Sequence, residues 1–212
     1  MKHLIKIIFK IAILKSIYYS IKFGGVIVIG KRCKINISKG GKIVFKSKKS
    51  SLYLGIYFSI YGGATLDIYK NGTLIVGKSV GIHRGTKVVV QKSALLDIGD
   101  RTFINENSRV QCLKSIKIGK ECSIAWNCTI IDSDLHGIFI NNILSNPNSE
   151  IIIEDKVWVC SNTTITKGAY IEKNCIVGAN SVVVKNKLKS NRIYSGSPIK
   201  EIKEFERWGQ LN

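Results

Sequence analysis

The stretch IIIEDKVWVCSNTTITKGAYIEKNCIVGANSVVVKN, residues 151–186, places an aliphatic side chain at every sixth position: Ile153, Val159, Ile165, Ile171, Val177 and Val183. A period of six matches neither a helix face nor plain strand alternation. It matches a short strand plus a turn, repeated as one side of a prism whose aliphatic residues point inward. Four positions after each of the first five stands a small or β-branched residue, Val157, Thr163, Ala169, Cys175 and Ser181, which marks a corner. Three sides close one coil, and stacked coils pair their backbone groups with the coils above and below.

Reading outward, Ile98, Ile104 and Val110 repeat the pattern, and after a step of eight so do Ile118, Ile124 and Ile130, with Cys122 and Cys128 at corner positions. Weaker echoes occur at Val76, Ile82 and Val88, and at Ile29 and Ile35. The expected organisation is an all-β, three-sided parallel β-helix over residues 23–186, interrupted by a loop at 132–150. A short helix over 1–22 precedes it, and a helical cap and tail over 187–212, carrying Phe205 and Trp208, follows. Both termini would cover open strand edges.

The net charge of +19 raises nucleic acid, anionic lipid or an acidic substrate as partners. Single scattered lysines, with no zinc-finger spacing, RNA-binding signature or basic helix leading into heptads, argue against nucleic acid. A genome biased toward Lys, Ile and Asn would give the same charge, so both explanations stay open. The six cysteines at 33, 112, 122, 128, 160 and 175 form no Cys-x-x-Cys pair. They read as reduced, buried side chains of a cytoplasmic protein with no metal site. In residues 1–22, Lys2, Lys6, Lys10 and Lys15 interrupt the apolar residues, so the segment does not span a bilayer. It is expected either to pack on the protein or to lie as a basic amphipathic helix on a membrane surface.

Three blocks resemble the hexapeptide-repeat acyltransferases, in the branch of maltose, galactoside and capsular-polysaccharide O-acetyltransferases: IGDRTFINENSRVQCLKSIKIG (98–119), IIIEDKVWVCS (151–161), and 177–198 from VGANSVVVKN to SGSP. The resemblance covers about residues 70 to 205. It implies a left-handed parallel β-helix, acetyl-CoA as acyl donor, a hydroxyl of a saccharide as acceptor, and a homotrimer with sites between subunits.

The one long break in the period, DSDLHGIFINNILSNPNSE (132–150), resembles the family's histidine loop and makes His136 the expected general base. Attack of an alcohol on a thioester needs a base that is neutral near pH 7, which suits imidazole. Asp134 is a candidate to orient that imidazole, or a solvated loop carboxylate. By resemblance, Asn105 positions the acceptor, and the backbone N–H near Ser161 stabilises the tetrahedral oxyanion. The same resemblance carries Trp158, Ser161, Ala179 and Lys185 onto the acetyl-CoA groove, Trp158 being otherwise an outward aromatic that covers a subunit interface, and Lys200 and Lys203 stand where the family keeps basic residues for the CoA phosphates. Leu113 replaces an acidic residue of the sugar acetyltransferases, so the acceptor is left open among saccharides, amino sugars, serine and antibiotics. A β-helical scaffold without chemistry is the non-enzyme alternative. His83, following an inward Ile82, is expected to point outward.

Overall fold

The computed structural model describes residues 11–57 and 60–209. Three parallel sheets form the faces of a left-handed β-helix. The first face runs from Val26–Ile29 through Ser51–Leu54, Val80–Ile82, Phe103–Ile104, Ser123–Ile124, Trp158–Val159 and Ile176–Val177 to Arg192–Ser195. The second runs from Lys34–Ile37 to Val182–Val183, and the third from Lys42–Phe45 to Lys187–Leu188. Strands in consecutive coils align residue for residue, as in Ile104 with Ile124 and Val110 with Ile130.

The repeat positions of the sequence form the core. Ile98, Ile104, Val110, Ile124, Ile130, Val159, Ile165, Ile171, Val177 and Val183 are fully buried. Each corner needs one residue in the left-handed region, and Asn107, Asn127, Asn162 and Asn180 supply it at one edge with φ between 55° and 58°. Asparagine tolerates that conformation, which explains the Asn-rich turns. All six cysteines are free thiols. Burial pushes those of Cys128 and Cys175 up to about 11 and that of Cys122 to about 12.

Two coils precede the clear repeat. In them each strand sends two side chains inward, such as Ile27 with Ile29 and Leu52 with Leu54. A helix, α1 (Ile13–Phe23), packs beside the first strand. Ser16 and Ser20 accept the N–H groups of Ile29 and Ile27, which closes the open edge of the first face. The part of the expected helix at residues 1–10 lies outside the described residues.

The expected helical cap at the carboxy terminus is overturned. Lys200–Glu204 folds back as a strand antiparallel to Arg192–Ser195. Gly196, at φ 103°, permits the reversal, and the last strand of the first face offers an unpaired edge that a helix could not fill. Arg192 bridges Glu201 and Glu204 at 2.6 and 2.7 Å and holds the hairpin. Trp208 then lies along the first face against Trp158, with ring centroids 5.8 Å apart.

Candidate active site

The chain turns between the first and second faces at the same edge in every coil, so residues there stack in columns. His83, Asn105, Ala125, Cys160 and Gly178 occupy one column, each backbone N–H donating to the coil that follows. Arg84, Glu106, Trp126, Ser161 and Ala179 occupy the next, joined through the N–H groups of Asn107, Asn127, Asn162 and Asn180. Asn105, Ser161 and Ala179 therefore share one edge, about 4.8 Å per coil apart along it. Trp126 stands between Glu106 and Ser161 with 56% of its surface exposed. It was not singled out in the sequence, where it looks like one more side chain beside a corner.

His83 is buried, 1% exposed, and does not point into solvent as expected. Its imidazole folds back over Gly81, where a Cβ would come within 2.9 Å of Nε2 and 2.7 Å of the Phe103 ring, so only glycine leaves room. Nδ1 lies 2.7 Å from Oδ1 of Asn105. Burial lowers the His83 pKa against the opposing pull of Asn105 and Glu106. Because the unfolded chain takes up the proton first, this contribution to stability is present above about pH 6.5 and is lost as pH falls below it. Urea midpoints at pH 7.5 and 5.5 should therefore separate more for the native protein than for His83→Gln; equal separations would contradict the burial argument.

The loop 132–150 leaves the other edge of the second face, between Thr129–Ile131 and Ile151–Ile153. Asp132, at its root, is fully buried and accepts the N–H groups of Leu113, Lys114 and Ser115 at 2.7, 2.8 and 2.8 Å. Burial holds its carboxyl above the ordinary value, against the pull of these donors. Asp134 does not reach His136. Its carboxylate pairs with Lys167, whose Nζ also donates to the carbonyl of Asn146 at 3.0 Å, so the pair ties the two arms of the loop together. Past Leu135, in the left-handed region at φ 63°, His136 is exposed. The tip is a hairpin of Phe139–Ile140 with Ile143–Leu144, whose four side chains are 50 to 72% exposed.

Residues 150–185 match the bacterial transferase hexapeptide (six repeats) family. A protein of Escherichia coli (strain K12) named as a lipopolysaccharide biosynthesis O-acetyl transferase, WbbJ, is 27% identical over 155 residues, covering 68% of this chain and 78% of its own. The solved polySia-specific acetyltransferase NeuO is 26% identical and superposes with a TM-score of 0.57 over 89% of this chain and 86% of its own. The chain thus carries the hexapeptide repeat over residues 150–185 and is similar to acetyltransferases along most of its length, which supports an acyltransferase. The N-acyltransferase AntD from Bacillus cereus, solved with Coenzyme A and dTDP-4-amino-4,6-dideoxyglucose, shares the fold at 18% identity, with a TM-score of 0.58 over 91% of this chain and 90% of its own.

Within this acyltransferase the expected site residues fall into two groups. Asn105, Ser161 and Ala179 are on the edge between the first and second faces, and Lys200, paired with Ser195, stands at the far end of that edge. Lys203 is exposed on the same hairpin. Trp158 is on the outward side of the first face, between Ser123 and Ile176 of neighbouring coils. Lys185 is at the opposite edge, its side chain over Gly168 and one coil from Lys167 at the loop root. Leu113 is also there, its N–H bound to Asp132. His136 and Asn105 thus leave opposite edges of the second face, separated by strands such as Arg109–Cys112, about 13 Å long.

Proposed function

We propose that the chain transfers an acetyl group from acetyl-CoA to a hydroxyl of a saccharide, a surface-polysaccharide unit or its lipid-linked precursor met at the cytoplasmic face of a membrane. The observation that carries this is the split of the site residues between opposite edges of one face. A loop base on one edge and an amide with small corner residues on the other meet only when a second copy docks alongside. Such head-to-tail contacts close into a ring, and a homotrimer with three sites is the simplest closure for a three-sided prism. The exposed Phe139, Ile140, Ile143 and Leu144 suit burial against a neighbouring subunit.

In such a site His136 accepts the hydroxyl proton as the oxygen bonds to the acyl carbon; the C–S bond then breaks and the proton passes to the leaving sulfur. Ser161 offers its backbone N–H to the oxyanion. Cys160, Ser161, Gly178 and Ala179 leave a strip of small side chains along which an extended thioester arm fits, with Lys200 and Lys203 at its end for phosphates. Asp134, bound to Lys167, serves to hold the loop.

His83 is a positioning residue. Donation from its Nδ1–H to Oδ1 of Asn105 leaves the Asn105 N–H2 to meet the acceptor oxygen, so the hydroxyl proton is free for His136. His83→Phe should lower kcat about tenfold and leave KM for acetyl-CoA unchanged. A loss confined to KM for acetyl-CoA would count against this role. The function itself is tested by incubating the protein with acetyl-CoA and candidate glycans while following free thiol and product mass. Release of thiol with an acetyl ester on the glycan is expected; no turnover with any hydroxyl acceptor would overturn the reading.

A further inference from the structure

The helix α1 (Ile13–Phe23) packs on the body through Tyr19 and Phe23 and two serines, and leaves a second apolar stripe uncovered. Its serines, Ser16 and Ser20, face the first strand and bind that strand's N–H groups, and Tyr19 donates to the carbonyl of Ile35 at 3.4 Å. Its aliphatic stripe faces out. Leu14, Ile17, Tyr18 and Ile21, spaced as one helix face, are 83, 52, 56 and 77% exposed, and no residue of the helix is fully buried.

The charge around this stripe is equally one-sided. Residues 1–66 contain thirteen Lys and Arg and no Asp or Glu, so +13 of the net +19 lies in the first third of the chain. Lys15 and Lys22 are exposed on the helix itself, and Lys34, Lys39, Lys42, Lys48 and Lys49 are exposed on the first coil beneath it. No helix among the described residues is long and apolar enough to cross a membrane.

We infer that this end of the prism docks on an anionic lipid bilayer, with Leu14, Ile17, Tyr18 and Ile21 immersed at the headgroup boundary and the first-coil lysines against the lipid phosphates. The combination of an apolar stripe and a basic surround is that of an interfacial helix. A second copy of the chain is the other candidate occupant, and the charge opposes it: two such ends would bring +13 against +13. Nucleic acid would use the lysines and leave the aliphatic stripe in water. Because α1 sits on the first strand, the coils rise away from the bilayer, and Asn105, in the fourth coil, stands about 15 Å above the first. That height is within reach of a saccharide carried on a lipid.

The docking rests on the surface of α1 and not on acyl transfer, so the two readings fail separately. The full chain is sedimented with vesicles of phosphatidylethanolamine and phosphatidylglycerol, and with phosphatidylcholine vesicles, at 0.1 and 0.5 M salt. Sedimentation with the anionic vesicles is expected, weakened at high salt and reduced at least tenfold in the double variant Leu14→Glu/Ile21→Glu. Both positions lie outside the core, and circular dichroism checks that the fold is kept. Absence of vesicle binding, equal binding by the variant, or a drop in the variant's mass by light scattering with vesicle binding intact would overturn the inference, the last by assigning the stripe to a second copy.

Discussion

Replacing His136 by alanine is expected to lower acyl transfer to a saccharide hydroxyl by about 10²- to 10⁴-fold, the range for loss of a general base. Stability should not change, because His136 is exposed on the loop and no hydrogen bond or ion pair ties it to the other described residues. The effect should fall on kcat, since an alcohol binds equally well whether or not its proton has an acceptor. Thiol release from acetyl-CoA in the presence of glycan measures the rate, and a urea unfolding curve measures stability. Full activity in His136→Ala would remove this residue from the mechanism, whereas loss of activity together with a lowered unfolding midpoint would recast it as structural. Mixing His136→Ala with Asn105→Ala adds a test of the shared site: if each site draws one residue from each of two subunits, mixed oligomers regain activity that neither variant has alone.

The second large effect concerns Asp132. Its carboxylate closes the turn of the preceding coil by accepting three N–H groups, from Leu113, Lys114 and Ser115. Alanine there would strand those donors where the wild-type side chain is fully buried. The expected cost is about 3–5 kcal/mol, the scale for removing one partner of a buried charged network, and a fall in melting temperature on the order of 10 °C. Asp132→Asn keeps one carbonyl acceptor and should fall between. Since Asp132 also roots the loop that carries His136, the proposed base, Asp132→Ala should lose activity at temperatures where the fold is intact. A melting curve that superposes on wild type would sink the capping argument.

The repeat was legible where coils are built from sides of six residues, because one inward aliphatic per side leaves an unmistakable period. It was faint in the first two coils for a physical reason. Their strands are four residues long and turn two side chains each inward, fully or partly buried, so Ile27, Ile35 and Ile43 recur at eight, as do Leu66 and Leu74, and a period of six leaves only fragments. The helical cap failed for another reason. Lys200–Glu204 has no strong apolar alternation, and its strand conformation comes from the open edge beside it and from Arg192.

Candidate site residues divide in the same way. His136 stood out because a long insertion broke a rigid period, and Asn105 because of the block around it. The partnership of Asn105 with His83 could not be seen in sequence, since 22 residues of chain become one coil step only after the turns close. Nor could the diversion of Asp134 to Lys167, which lies 33 residues away.

The sequence alone therefore determined the prism, its inward residues, the small or β-branched residues that mark its corners and the place of the interruption, all set by local spacing. The tertiary structure decided which distant residues stack on one edge, which carboxylate caps a turn and which face of α1 meets solvent, because those depend on the closure of each coil onto the next. The left hand of the helix belongs to the second group: period sets the length of a side, and only the packed backbone chooses the direction in which the sides turn.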